Sequence, residues 1–282
     1  MKNFNNYKPE VYAASVDWRY NVLNKIFTNN ADKLQWRGDE RVLDIGCGVA
    51  DITRHVILPM LSPDYKKLSC ADASTLMLSA AEKQLQDVKK VEFIKMDIGA
   101  DLEKSLIGQF DRIFSTFCLM YLKDQRKTFQ NVFDLLAPGG DCFIVILSSG
   151  IIFETLFQLA ETPKWREHLK HVRDVYVFPY REDPDPEKTL TSLLRSVGFT
   201  DVFVKKDKSF SLYENADRLR DNLLVMPDFP HKMTQQEREE LFEDQIKLGI
   251  SMNVVAESYD ESKPILQARH VTLTIKARKP VL

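Results

Sequence analysis

Two glycines and a row of carboxylates, each placed where an apolar run ends, carry the chemistry legible in this chain. In Val42-Leu43-Asp44-Ile45-Gly46-Cys47-Gly48-Val49-Ala50-Asp51 a buried strand leads into a turn and then a helix. Gly46 and Gly48 let a ligand lie against bare backbone. A dinucleotide turn of the form G-x-G-x-x-G needs a third glycine at position 51, and this chain has Asp51 there. A carboxylate at the helix N-terminus competes with a pyrophosphate for the same amides and repels it. Asp44 adds a second negative charge. The turn therefore suits a cationic ligand, and S-adenosyl-L-methionine, with its sulfonium and ammonium groups, meets that requirement.

Further along, Ser69-Cys70-Ala71-Asp72-Ala73-Ser74 ends a second apolar run with a carboxylate. Asp72 there can accept hydrogen bonds from both ribose hydroxyls, with Ala73 beside it, in a nicotinamide site as well as an adenosylmethionine site. It can also serve as the N-cap of the helix that follows. Met96-Asp97-Ile98 ends a third run. The Asp97 carboxylate and the Ile98 amide can hold an adenine edge, although aspartate at a strand end is also ordinary turn chemistry.

The elements that must position these residues alternate strand and helix from residue 41 onward. Strands are expected at Val42–Ile45, Leu68–Ala71, Val91–Met96, Arg112–Thr116 and Cys142–Leu147, with helices over 51–61, 74–86 and 124–136. Pro186–Val197 forms a further helix closed by Gly198, Asp201–Lys205 a strand, and Val271–Ile275 an alternating strand suited to antiparallel pairing. Fully apolar strands alternating with helices imply an α/β fold: a Rossmann-like, doubly wound, mostly parallel seven-stranded sheet covered on both faces. The sheet core spans about 41–148, 186–206 and 269–277. Segments 1–40, 149–185 and 209–265 look mostly helical and form a cap over one domain of residues 1–282. In such folds ligands bind beyond the carboxyl ends of the strands, where insertions can close a lid.

Composition removes several function classes. With 282 residues, a net charge of −2 and 44% hydrophobic residues, the chain has no general electrostatic grip on nucleic acid. Its longest apolar runs, near 142–147 and 150–153, are too short to insert in a membrane. Its first twenty residues hold no signal-peptide core. Cys47, Cys70, Cys118 and Cys142 show no C-x-x-C spacing, which fits a reduced, cytoplasmic protein. His168 and His171 lie among Lys164, Arg166, Lys170 and Arg173 and make a solvated helix face, so no metal site is expected. The sequence leaves the oligomeric state open, a homodimer being one option.

Gly46, Gly48, Asp72 and Asp97, in that order at successive strand ends, resemble the cofactor site of the class I S-adenosylmethionine-dependent methyltransferases. Methyl transfer needs an in-line approach more than a catalytic dyad, and such positioning can contribute ~7–11 kcal/mol. After the fourth strand comes Ser115-Thr116-Phe117-Cys118-Leu119-Met120-Tyr121, apolar with one phenol. It has no Asn-Pro-Pro-Tyr set for amine acceptors and no Pro-Cys nucleophile, so a greasy acceptor needing little activation is expected.

The chain also resembles a narrower family, the insect juvenile hormone acid O-methyltransferases. The likeness runs through Leu34-Gln35-Trp36-Arg37, Leu43–Gly48, Asp97-Ile98-Gly99, Phe110–Tyr121, Asp124-Gln125-Arg126, Phe129-Gln130-Asn131, Leu135–Cys142, Lys164-Trp165, Phe178-Pro179-Tyr180 and Ser196–Thr200. That resemblance implies methyl esterification of a sesquiterpenoid acid such as farnesoic or juvenile hormone acid, with S-adenosyl-L-homocysteine as the other product. Where the family carries a His-Trp pair this chain has Met120-Tyr121, and the family's carboxylate-orienting Gln falls on Arg19. Arg19 and Tyr121 are thus the expected catalytic pair. Trp36, Phe117, Met120, Phe153, Phe157 and Trp165 are expected to hold the small hydrophobic acid. The alternative is a weakly active or non-catalytic paralogue that carries S-adenosylmethionine or a terpenoid or fatty acid.

Overall fold

In the computed structural model, which describes residues 9–14, 16–223, 233–258 and 265–281, eight strands make one sheet. They are β1 (Arg41–Ile45), β2 (Lys67–Asp72), β3 (Val91–Lys95), β4 (Phe110–Thr116), β5 (Leu136–Gly150), β6 (Thr200–Tyr213), β7 (Val255–Ser258) and β8 (Ile265–Arg278). The order is β3-β2-β1-β4-β5-β8-β6, with β7 added to β8. β1 to β5 pair in parallel, while β8 runs antiparallel to both β5 and β6. The mostly parallel, doubly wound sheet expected from the apolar runs is therefore present, with β7 as an eighth strand beyond the seven anticipated.

The helices are α1 (Pro9–Ala14), α2 (Val16–Asn29), α3 (Thr75–Gln84), α4 (Gln125–Leu135), α5 (Ile151–Leu159), α6 (Arg166–Leu169), α7 (Val172–Val175), α8 (Pro186–Val197), α9 (Ala216–Leu223) and α10 (Gln235–Ser251). Their ends follow from local chemistry. The Asp124 side chain accepts from the Lys127 amide at 2.9 Å to start α4. Asp185 does the same for α8, where Pro186 takes the first helical position and Gly198, at φ +118°, closes the last turn. A capping box between Thr234 and Glu237 starts α10.

Three boundaries differ from expectation, each for a physical reason. The helix expected over 51–61 is only partly regular: Thr53–Ile57 is wound as a π-helix and Leu58–Met60 as a 3₁₀ turn, where Pro59 supplies no amide to the ladder. β5 begins at Leu136 rather than Cys142, because Leu136 already pairs with Phe110 and the Pro138-Gly139-Gly140 stretch, with Gly139 at φ +77°, is taken up in a register shift between Phe110 and Arg112. Residues 209–213, 255–258 and 265, expected in a helical cap, fall in strands. Ser211 and Tyr213 point into the protein there while Phe210 and Leu212 point out, a period of two that extends β6. The remainder of the segments expected to be helical at 1–8, 15, 224–232 and 259–264 lies outside the described residues.

The main core lies where α2 meets the sheet: Phe27 packs against Phe143 at 4.9 Å and Phe114 at 5.9 Å between ring centroids. A second apolar cluster of Ile151, Tyr213, Leu219, Val255, Leu266 and Ala268 lies beyond the carboxyl ends of the parallel strands. No helix among the described residues is long and apolar enough to cross a membrane.

Candidate functional site

A cleft opens at the carboxyl ends of β1, β2 and β4. Its lining includes Ile45, Gly46, Gly48, Asp72, Ala73, Ile98, Phe117 and Tyr121, as the strand ends predict. Tyr12, Ser74, Met77, Met96 and Cys118 complete it; Cys118 belongs to the 115–121 segment and Ser74 and Met96 to the strand-end motifs, whereas nothing in the sequence pointed to Tyr12 or Met77.

The glycine turn is built for contact. Gly46 has φ +73°, and a Cβ there would stand 2.3 Å from the Cys118 sulfur. Gly48 has φ +57°, and its Cβ would come within 3.2 Å of the Tyr12 ring. Any other residue would strain the backbone and push Tyr12 or Cys118 into the space left for a ligand.

Two carboxylates flank the turn. Asp72 accepts from the Gly48 amide at 3.0 Å and the Ser74 amide at 2.8 Å. Burial raises its carboxyl, with the Ser74, Gly48 and Ala73 amides pulling the other way. The N-cap of α3 is Ser74, not Asp72, which leaves the carboxylate facing the cleft. Asp44 is buried, and its Oδ2 accepts from the Thr53 hydroxyl at 2.6 Å. Its Oδ1 has no hydrogen-bond partner. Burial pushes Asp44 up to about 7, despite the Thr53 bond. A buried carboxylate oxygen left without a donor, beside a glycine turn, is what a ligand ammonium would satisfy.

Asp97 folds back on its own turn, accepting from the Gly99 amide at 2.9 Å. Asn131 of α4 holds this loop from beneath by donating to the carbonyls of Ile98 and Ala100, both at 2.7 Å. Its spacing within α4 carries no sign of that role in the sequence.

Asp51 does not stand as a bare charge at the helix start. Arg19 donates to its Oδ2 at 2.9 Å, and both side chains are buried. The same guanidinium donates to the Tyr12 carbonyl at 3.1 Å and lies 4.1 Å over the Tyr12 ring. The cationic preference of the turn therefore rests on Asp44 and Asp72, and the electrostatic argument from Asp51 is corrected by its ion pair. Arg19 itself is absent from the cleft lining.

The expected acceptor residues divide. Phe117 and Tyr121 line the cleft. Phe117 holds a left-handed φ of +53°, fixed by its amide donating to the Val145 carbonyl at 2.8 Å. Tyr121 meets Phe178 edge-on at 5.9 Å and Tyr176 at 6.4 Å, and Phe153 stands behind them, 3.8 Å from Phe178. Met120 is core, its carbonyl accepting from the Phe178 amide. Phe157 packs under Arg173 and Arg181. Trp165 donates from its indole to Asp244 at 2.8 Å, tying α10 to the cap. Trp36 lies elsewhere: it covers Arg112 at 4.3 Å, toward the amino-terminal ends of β4 and β5, where Arg112 pairs with Asp141. A place for Trp36 in the acceptor pocket is thus corrected by its position at the far end of the sheet. His168 pairs with Glu237 and His171 with Asp174 at the surface. Among the described residues no group of three or more side chains is set to hold a metal.

Comparison with known proteins defines the class. Residues 43–142 match the methyltransferase domain family. The YcgJ protein from Bacillus subtilis has a similar fold, with a TM-score of 0.59 at 17% identity over 93% of this chain and 99% of that one. So does phosphoethanolamine N-methyltransferase 2 from Haemonchus contortus, solved with S-adenosylhomocysteine, with a TM-score of 0.58 at 19% identity over 99% of this chain and 59% of that one. The chain belongs to the class I S-adenosylmethionine-dependent methyltransferases. Its relatives include the juvenile hormone acid O-methyltransferase of Bombyx mori, 31% identical over 228 residues that cover 80% of each chain. That of Drosophila melanogaster is 28% identical over 254 residues, 89% of this chain and 85% of its own. S-adenosylmethionine is the cofactor, and the open oxygen of Asp44, the bare turn and the held Asp72 fit it.

Proposed function

We propose that this chain esterifies a hydrophobic carboxylic acid of sesquiterpenoid type, forming its methyl ester. One observation carries this reading. Among the described residues that line the cleft, only Asp72 is a carboxylate, and both its oxygens are held by backbone amides. The wall beyond the glycine turn is Phe117, Cys118 and Tyr121, with the Cys118 thiol pushed far up by burial. Such a wall offers no general base, so the acceptor must arrive already ionised, as a carboxylic acid does at neutral pH. The two named relatives support the same reading.

Bound S-adenosylmethionine supplies a methyl group made electrophilic by its sulfonium. Transfer to an acceptor carboxylate oxygen would form a C–O bond as the C–S bond breaks, the electron pair staying on sulfur, and would leave no proton for this chain's residues to move. Asp72 would hold the ribose and Ile98 would pack at the adenine, while Asp44, buried behind the glycine turn and outside the cleft lining, would pair with the ammonium and Asp97 braces the loop. Phe117 and Tyr121 keep water from the reacting atoms and align the carboxylate, Tyr121 offering its hydroxyl to the oxygen that does not react. Arg19 contributes by fixing α1 and α2 over the turn through Asp51, not by gripping the acceptor. Four buried free cysteines suit work in a reducing compartment such as the cytoplasm.

Incubation with methyl-labelled S-adenosylmethionine and a panel of farnesoic, juvenile hormone and saturated fatty acids tests the proposal. Label recovered as an organic-soluble, base-labile ester supports it. Binding of an acid without label transfer points to the carrier, and transfer only to an amine overturns the reading.

A further inference from the structure

The three tryptophans have different surroundings, and one stands between the cofactor cleft and the cap. Trp36 covers Arg112 and Trp165 is tied to Asp244. Trp18, in the first turn of α2, stacks on Phe117 with ring centroids 5.2 Å apart and planes at 30°. On its other side it meets His270 of β8 at 6.0 Å. It packs against both apolar clusters, the main core and the one formed by Ile151, Tyr213, Leu219, Val255, Leu266 and Ala268. It is only partly buried. A partly exposed indole beyond the carboxyl ends of the strands, reached directly past a cleft-lining phenylalanine, is an unusual place to leave a large apolar surface.

The wall behind it carries no charge at neutral pH. His270 is buried, with Nε2 bonded to the Ser209 hydroxyl at 2.6 Å and Nδ1 to that of Ser211 at 3.4 Å. Burial lowers its imidazole to about 4, so it is neutral under ordinary conditions. A neutral, fully engaged histidine cannot attract a carboxylate but can fix the angle of an indole. Phe117, held in its left-handed conformation, fixes the opposite side.

Resting on the proposed esterification of an apolar acid, we propose that Trp18, clamped between Phe117 and His270, receives the part of the acceptor's apolar chain nearest the carboxylate and thereby sets which acids fit. The carboxylate stays at Phe117 and Tyr121, and the chain passes over the indole toward the second apolar cluster. Trp18 is then a specificity-determining residue, and His270 a positioning residue that acts through it.

The whole protein labelled with 5-fluorotryptophan gives a direct reading, with its resonances assigned through Trp18→Phe and Trp36→Phe. Farnesoic acid or dodecanoic acid, added with S-adenosylhomocysteine present, should move the Trp18 resonance and leave that of Trp36 in place. Trp18→Ala should raise the KM for farnesoic acid about tenfold, while the Kd for S-adenosylhomocysteine stays within about twofold. Trp18→Phe should recover most of that loss, which a purely structural defect would not allow. Esters formed by a protein whose Trp18 resonance never moves would overturn the assignment and spare the proposed reaction. Absence of any ester from the wild-type protein would instead overturn the reaction. A Trp18 resonance that still responds to the acids would then uphold the binding site, and one that does not would remove it as well.

Discussion

Arg19 and Asp51 neutralise each other inside the protein, with Nη2 donating to Oδ2 at 2.9 Å. Asp51 uses its other oxygen to accept from the Ile52 amide at 2.8 Å, so it caps its own helix while holding α2. The pair joins the segment before the sheet to the first element after the glycine turn, with Tyr12 stacked between the arginine and Gly48. Arg19 is therefore a strut under the roof of the cofactor cleft.

Removing half of such a pair leaves a buried charge. Arg19→Gln should lower unfolding free energy by about 3–5 kcal/mol, and adding Asp51→Asn should recover most of it. Urea unfolding of the single and double variants measures this. An Arg19→Gln protein of unchanged stability, altered only in acceptor KM, would show that the guanidinium serves the substrate.

On the proposed reading, in which Asp44 meets the ligand ammonium, cofactor binding should depend on pH. Its folded carboxyl titrates near 7, so below that pH a ligand ammonium must displace a proton to pair with it. Affinity for S-adenosylhomocysteine should rise about tenfold per pH unit from 5 to 7 and then level off. Calorimetric titration in buffers of different ionisation enthalpy should detect the released proton. The raised value also means that this group favours folding at low pH and loses that contribution as pH climbs from about 4 through 7. Asp44→Asn should thus stabilise the ligand-free protein at pH 8, by on the order of 2–4 kcal/mol, while abolishing the pH slope of binding.

Asp72 holds the turn and lines the cleft at once, and on the proposed reading it meets the ribose there. Asp72→Asn keeps one acceptor oxygen but loses the charge-assisted bonds, and S-adenosylhomocysteine should bind about 100-fold more weakly. The far-ultraviolet spectrum should be unchanged, since Ser74 still caps α3. Equal affinity in the variant, measured by equilibrium dialysis, would move the ribose elsewhere.

His270 gives the fold an acid limit. Its folded imidazole titrates near 4, below the unfolded value, so the unfolded chain binds more protons between about 4 and 6.5. Stability from this group is present above 6.5 and is lost as pH falls toward 4, by about 2 kcal/mol at pH 5. Asp44 works in the opposite direction over the same range, so the comparison must be between wild type and His270→Asn. Taken from pH 7 to pH 5, the variant should lose less stability, or gain more, than wild type, so its urea midpoint should rise relative to that of wild type. A larger acid loss in the variant would contradict the cause assigned here.

How much of this was legible in the sequence depends on how local the signal is. Gly46, Gly48, Asp72 and Ile98 stand where apolar runs stop, and a run that stops in a parallel sheet stops at the ligand edge, so their placement followed from pattern alone. Tyr12 and Trp18 act on residues distant in sequence, Tyr12 on Gly48 and Trp18 on Phe117 and His270. They belong to helices whose other residues carry no mark of which face meets the cleft. Trp36 misled because a residue near Arg37 and the first strand suggests nothing of Arg112, which it covers from the opposite end of the sheet. The extension of β6 to Tyr213 was hidden by the lysines and serines of 205–211, which suit a solvent-facing edge as well as a loop. Asp51 was visible as a charge, but its partner thirty-two residues earlier was not.

The antiparallel seat of β8 between β5 and β6 has a consequence for assembly. Both neighbours leave the ribosome before the strand that must be inserted between them. Until residues 265–278 emerge, β5 shows an open edge and β6 has no sheet to join. The nascent protein must then hold an unsatisfied, strongly apolar β5 in waiting, a state prone to aggregation and a natural client for chaperones. His270 enters with that strand, so the wall behind Trp18 is complete only once β8 is seated.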